Sequence, residues 1–197
     1  MTRENGWIID GTDVEIGTEP EGPPLVDGPF ARARQALINY DFSDPTIVTA
    51  HFDPAVPLAG RNMLLEIKVL GLRFLCGVRV HSVRDEQEHG TSLFAFRYDT
   101  LQGHMERGFE WFLLTKDHLT GGVHFRIEAH WQMGNFPSWW SQLGFRLIGE
   151  RFREVWRRRA PERLRRLTRQ QVTAPVAKPD HLAHRGDERP QRTGPVP

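Results

Sequence analysis

Cysteine and long apolar runs are what this 197-residue sequence has least of. Its single cysteine, Cys76, cannot form an intramolecular disulfide or a zinc site built from several cysteines. No stretch approaches the roughly 20 apolar residues that cross a bilayer. No basic segment followed by an apolar run stands at the start, as a secretory signal would require. We therefore expect a cytoplasmic protein.

Signatures of common catalytic and cofactor sites are also missing. There is no Gly-x-Ser-x-Gly elbow and no glycine-rich phosphate-binding motif. His104 and Glu106 match part of the zinc deaminase signature, but that site also needs cysteines that this chain lacks. His124 and His130 are six residues apart on one strand, about 20 Å, which is too far to share an ion. We predict no metal and no cofactor, and we assign no catalytic residue.

Charge is distributed unevenly, although the formal net charge is only +1. Residues 146–169 contain ten arginines and three glutamates, a net charge of +7, whereas residues 1–145 carry −7. Docking of a basic helix on an acidic body would explain this asymmetry. The alternative is an anionic partner, a nucleic acid or a membrane surface, bound through Arg151–Arg169.

Alternation of apolar and polar residues predicts seven strands. The first covers residues 6–14, and turn residues separate the other six. These are Thr46–Phe52, Asn62–Leu70, Phe74–Val83, Thr91–Tyr98, Arg107–Lys116 and Val123–Trp131. Their short connections indicate antiparallel pairing. In the last strand one face is apolar and predicted to be buried: Val123, Phe125, Ile127, Ala129 and Trp131.

Two helices complete the predicted order. The first covers residues 29–40, with Pro29 at its first position and Asp27 or Gly28 as its cap. The second covers residues 138–159, about 33 Å at 1.5 Å per residue, with apolar residues at helical spacing. Pro161 is expected to kink or restart it. We assign residues 1–171 to one domain and residues 172–197 to a disordered tail.

An antiparallel sheet with one apolar face needs a cover, and only helices remain to provide it. We therefore predict an α+β fold in which a curved antiparallel seven-stranded sheet grips the long C-terminal helix. If the sheet curls around that helix, a cavity can open between them.

Three segments resemble a known family. They are KVLGLRFLCGVRVHSV (Lys68–Val83), FRYDTLQGHMERGFEWFLL (Phe96–Leu114) and the closing helix with Leu143, Gly144, Arg151 and Phe152. Over roughly residues 7–158 they are similar to domain of unknown function 1990, also called UPF0548. The order of elements resembles the START and Bet v 1-like helix-grip proteins. The resemblance implies a helix-grip fold and an apolar ligand cavity, but no reaction.

The most specific part of the resemblance is the run from Tyr98 to Gly108. It is carried by Tyr98, Thr100, Leu101, Gly103, His104, Glu106, Arg107 and Gly108. The sequence departs from the family pattern at Asp99, Gln102 and Met105.

The same run holds a cluster of ionisable side chains at a predicted hairpin turn. His104 and Glu106 could act as acid and base, and Arg107 could bind an anionic group. Alternatively, these side chains only shape the turn between Gly103 and Gly108. Five aromatic residues could line a ligand pocket or simply fill the core: Tyr98, Trp111, Phe125, Trp131 and Trp140.

Alternation in the strand Phe74–Val83 predicts a buried, unreactive Cys76, with Arg79 and His81 facing water. Three functions therefore remain open. The first is a non-enzymatic protein that binds a small apolar or amphipathic ligand. The second, seen in related helix-grip proteins, is a cyclase or hydrolase that uses His104 and Glu106. The third is an interaction module that binds an anionic partner through its arginine-rich helix.

Overall fold

A computed structural model describes the backbone of residues 2–4, 6–134 and 139–169, and the side chains of residues 6–134, 149 and 151–169. The strands are β1 (Thr2–Glu4), β2 (Trp7–Thr18), β3 (Val48–His51), β4 (Asn62–Val69), β5 (Leu72–Glu88), β6 (Thr91–Thr100), β7 (Glu106–Asp117) and β8 (Gly122–Met133). The helices are α1 (Pro29–Ile38) and α2 (Trp139–Arg169). The predicted tail, residues 172–197, lies outside the described residues.

All eight strands form one antiparallel sheet in the order β1-β2-β8-β7-β6-β5-β4-β3. Consecutive strands from β3 to β8 are neighbours. Tight turns join several of them, as at Gly71 and Gly90, where φ is +81° and +77°, whereas residues 52–61 connect β3 to β4. The long connection from β2 through α1 places β2 beside β8. The predicted α+β class is confirmed. The sheet has one strand more than predicted, because the three residues of β1 are too few to show a periodicity.

The predicted buried face of β8 faces the core, and all five of its residues are buried. Ile127 of this face pairs with Phe112 of β7, which belongs to an aromatic cluster. Phe96 stacks on Phe112 at 4.8 Å between ring centroids, and Phe42 lies 4.9 Å from Phe112. Cys76 is buried, and Arg79 and His81 are exposed, as predicted.

Helix α1 begins at Pro29, and its predicted apolar residues Phe30, Ala33 and Leu37 are buried. Gly28 is the N-cap but makes no side-chain hydrogen bond. The carboxylate of Glu19 caps the helix instead, because it accepts a hydrogen bond from the Phe30 backbone nitrogen at 2.7 Å. Glu19 also pairs with the fully buried Lys116, which fixes the start of α1 to β7.

Helix α2 packs across the concave face of the sheet through Trp156, Ala160 and Leu164. The Trp156 indole nitrogen donates to the Ser43 hydroxyl at 2.9 Å, which ties the helix to the loop after α1. We expected a kink or a restart at Pro161. The helix does not restart there but continues to Arg169 with Pro161 inside it. Proline has no N–H group, so one backbone hydrogen bond of the helix is missing at this position. The buried side chains of Ala160 and Leu164 pack the helix against the core on both sides of it.

Candidate functional site

A row of polar side chains crosses the concave face beneath α2. Asp10 on β2 and Glu110 on β7 both pair with Ala129 on β8, one from each side, and Glu110 pairs in turn with Tyr98 on β6. Directly paired residues point to the same face of a sheet. The small Ala129 therefore leaves space between two carboxylates at this level of the interior.

Two arginines of α2 face this row. Arg157 donates from Nη1 to a carboxylate oxygen of Asp10, and Arg153 donates from Nη2 to Glu106. The Arg153 guanidinium lies over the Trp131 ring, 3.5 Å from its centroid. Arg153 and Arg157 are four residues apart, so one face of the helix presents both to the sheet.

Several polar atoms in this cluster are buried and have no hydrogen-bond partner among the described residues. They are Arg157 Nε and Nη2, Arg153 Nη1, Trp131 Nε1 and Asp10 Oδ2. Burying such a group unpaired costs about 1–3 kcal/mol. Most buried polar atoms in proteins do have a partner. A cluster of unpaired donors is therefore a place where a bound molecule would stabilise the fold.

The charges of the cluster are strongly perturbed by burial. Desolvation raises the pKa of Glu110 to about 7, and nearby Asp10 adds to this, although hydrogen bonding from the Tyr98 hydroxyl opposes it. Desolvation also lowers the pKa of Arg153 to about 10. Glu110 can therefore gain or lose a proton near neutral pH.

The turn between β6 and β7 closes one end of this cluster. His104 Nδ1 accepts a hydrogen bond from the Glu106 backbone nitrogen at 3.0 Å. Burial, and then Arg153, lower the pKa of His104 to about 4. Since Glu106 is paired with Arg153, its carboxylate and His104 are engaged with other groups. This arrangement favours the turn-shaping interpretation of the pair over acid–base chemistry.

The structure brings together only part of the predicted site. Tyr98 and Trp131 lie in the buried cluster, with His104 and Glu106 at its end. Phe125 lies deeper, in the aromatic core, 5.6 Å from Phe42 between ring centroids. Arg107 is exposed, and Trp111 lies on the opposite face of the sheet, near Arg97. Trp140 is in α2, but its side chain lies outside the described residues.

An open cleft of about 550 Å³ lies at the same end of the sheet. Its walls include the aromatic rings of Trp7 and Phe109 and the polar side chains of Asp99, His104 and Arg107. His104 thus borders both the cleft and the buried cluster.

Four residues of the buried cluster were not predicted: Asp10, Glu110, Arg153 and Arg157. A signal for them exists in the sequence. Glu110 alternates with the buried Phe112, and Arg157 directly follows Trp156 in the apolar stripe of α2. A charged residue in register with a buried face indicates a buried charge, which needs a partner or a ligand.

Within residues 6–134 and 151–169, no three histidine, cysteine, aspartate or glutamate side chains are placed to hold an ion. No described helix has the length and apolar content needed to cross a membrane.

The curved antiparallel sheet with one long C-terminal helix across its concave face defines a helix-grip protein. The chain belongs to the family described as domain of unknown function DUF1990, whose model matches residues 2–162. It is also similar to a UPF0548 protein of Dictyostelium discoideum, with 28% identity over 147 residues. That alignment covers 73% of this chain and 65% of the Dictyostelium protein.

Solved structures with a similar fold have a lower sequence identity to this chain. Hypothetical protein jhp0584 from Helicobacter pylori has a TM-score of 0.45 at 13% identity, covering 83% of this chain and 88% of its own. Ara h 8.0201 has a TM-score of 0.44 at 8% identity, covering 81% of this chain and 98% of its own. A Thalictrum norcoclaurine synthase has a TM-score of 0.41 at 7% identity, covering 65% of this chain and 77% of its own. These similarities are too distant to assign a function.

Proposed function

We propose that this protein binds a small amphipathic molecule between its sheet and helix α2. The observation that supports this most directly is the set of unpaired donors on Arg153, Arg157 and Trp131 beneath the helix. A ligand with polar acceptor atoms would pair these donors and remove their desolvation penalty.

An apolar surface adjoins the donors. Ile8, Ala129 and Trp131 form a small apolar cluster, with Met133 packed against it, and this cluster is separate from the main aromatic core. The polar row thus has apolar residues on both sides. Ligand sites typically combine such an apolar lining with a few placed polar groups. The polar end of the ligand would meet the arginines, and its apolar part would lie against Ile8, Trp131 and Met133.

Native mass spectrometry of protein purified from cells tests this function. We expect a species heavier than the bare chain by the mass of a small molecule, which disappears under denaturing conditions. Met133→Gln should lower the occupied fraction, because it removes apolar surface from the cluster. Leu119→Gln is the control, since Leu119 is 78% exposed and remote from the site. A chain that is always empty and binds no amphipathic probe would contradict the proposal.

One observation favours a second function, acid–base catalysis in the same space. Glu110 titrates near neutrality and is hydrogen-bonded to the Tyr98 hydroxyl, so the pair could transfer a proton to or from a bound molecule. Screening of substrates against the wild-type chain tests this. Any turnover found should be lost in Glu110→Gln and kept in His104→Asn, because His104 is held by the turn.

A further inference from the structure

We propose that the ligand carries a carboxylate group and that the side-on edge of the Arg157 guanidinium binds it. This inference rests on the proposed function, and it names the chemical class of the ligand.

The orientation of Arg157 is the first argument. Its Nη1 atom is used by Asp10, while Nε and Nη2 have no hydrogen-bond partner in the described part of the chain. These two nitrogens form one edge of the planar guanidinium, with parallel N–H groups. That edge matches the two oxygens of a carboxylate in a bidentate pair. The Arg157 side chain is only 10% exposed, and the Asp10 side chain that holds it is 5% exposed.

The balance of donors and acceptors is the second argument. Around the Arg157 edge, Trp131 Nε1 and Arg153 Nη1 are also unpaired donors among the described residues, against one unpaired acceptor, Asp10 Oδ2. Four donor nitrogens and one acceptor oxygen select a ligand group that mainly accepts hydrogen bonds. A carboxylate accepts at both oxygens, whereas an alcohol offers one oxygen and must also donate.

Charge distinguishes a carboxylate from a phosphate. Each arginine of the cluster already has an acidic partner, Asp10 for Arg157 and Glu106 for Arg153. The site therefore offers a strong donor edge without a surplus of positive charge. A dianionic phosphate would add two uncompensated negative charges beside the apolar Ile8 and Trp131, whereas a carboxylate adds only one.

The site is closed in this structure, because the unpaired nitrogens are buried away from solvent. A ligand reaches the Arg157 edge only after the groups that cover it move. We therefore expect the association of carboxylates to be slowed by that movement.

Calorimetric titration with matched pairs of probes tests the inference. The probes are decanoate against decanol, and 2-naphthoate against 2-naphthalenemethanol. We expect each carboxylate to bind at least about tenfold more tightly than its alcohol, since hydrogen bonds to charged groups are the stronger ones. Arg157→Lys should remove most of this preference, because lysine keeps the charge and lacks the two-pronged edge.

Arg158→Lys is the matched control, since Arg158 is the exposed neighbour on the same helix and should keep the preference. Trp131→Phe is a milder variant that keeps the aromatic ring and removes one unpaired donor. It should weaken carboxylate binding severalfold without unfolding the chain.

The outcomes separate the two proposals. Equal affinity for carboxylate and alcohol would overturn the ligand class and leave the proposed function standing. A preference that survives unchanged in both Arg157→Lys and Trp131→Phe would also overturn it. If no probe binds and the purified chain is empty, the proposed function itself fails, and the ligand class fails with it.

Discussion

Two buried cations in this molecule have opposite surroundings. Lys116 is fully buried, and its ammonium donates to Glu19 at 2.9 Å and to the carbonyls of Pro20 and Pro23 at 3.1 and 3.0 Å. All three of its donors are therefore used. Arg157 is nearly as buried and leaves two nitrogens without partners among the described residues. We interpret the first residue as structural and the second as functional on that difference.

The structural role of Lys116 predicts a large loss of stability on substitution. Lys116→Met should lower the free energy of unfolding by about 3–5 kcal/mol, because Glu19 would remain buried without its counter-charge. Urea denaturation measures the change. Lys68→Met is the control, since Lys68 is only partly buried and donates to two neutral oxygens, of Pro45 and Thr49; the variant should lose about 1 kcal/mol. Equal losses in the two variants would contradict this assignment.

The raised pKa of Glu110 predicts how the stability of the fold depends on pH. Its pKa is raised to about 7 in the folded chain, so the folded state binds its proton more tightly than the unfolded state does. The tighter proton binding therefore stabilises the folded state, and this stabilisation is fully present below the unfolded pKa of about 4.3. It is lost as pH rises through 7.

Comparison with Glu110→Gln isolates this effect. The unfolding free energy of the wild-type chain relative to the variant should fall by about 2–3 kcal/mol between pH 4.5 and 8. Denaturation profiles at several pH values measure it. A constant difference across that range would show that Glu110 titrates normally.

At the scale of elements, the sequence was sufficient to predict the positions of most strands and of both helices. The alternation in β8 and the spacing in α1 are signals that depend on a single element, so they can be read from the chain directly. The buried cluster could not be predicted in this way. It joins Asp10, Glu110 and Arg157 from three elements, and their proximity depends on the pairing of β2 with β8, which no local pattern specifies.

Gly108 shows how closely β7 and β8 approach each other at the end of the site. A Cβ at this position would lie 2.0 Å from the carbonyl oxygen of His130. Gly108→Ala should therefore force the two strands apart and lower the unfolding free energy by about 3 kcal/mol or more. Thermal and urea denaturation measure the loss.

Gly71→Ala is the matched control. Gly71 also has a positive φ, +81°, but a Cβ there meets nothing within 4 Å. The Gly71→Ala variant should lose only about 1 kcal/mol of unfolding free energy, from backbone strain alone. A Gly108→Ala variant no less stable than Gly71→Ala would show that the strands can separate at little cost.

At the scale of the whole molecule, the charge asymmetry is largely internal. Arginines of α2 contact the acidic body along the helix: Arg153 to Glu106, Arg157 to Asp10, Arg159 to Asp44, Arg163 to the Asp41 carbonyl and Arg165 to the Glu15 carbonyl. This supports docking of the helix as the reason for its charge. Arg151, Arg158, Arg166 and Arg169 are exposed and would be the contacts of an anionic partner.

Internal docking of opposite charges predicts sensitivity to salt. Raising NaCl from 0.05 to 0.5 M should lower the unfolding free energy by about 1 kcal/mol, because screening weakens the partly exposed pairs. Arg159→Gln should reduce this dependence, since its pair with Asp44 at 3.1 Å is more exposed than the pairs of Arg153 and Arg157. Stability that rises with salt in the wild-type chain would indicate that repulsion between the arginines dominates instead.

The pairing of β2 with β8 has a consequence for synthesis. Asp10 leaves the ribosome early, whereas Ala129 and Arg157 emerge much later, so the buried cluster is completed only after Arg157 has been translated. Contacts between such distant parts of a chain form late and slowly. A small molecule that binds there would act on the final folding step and would favour full-length chains over truncated ones.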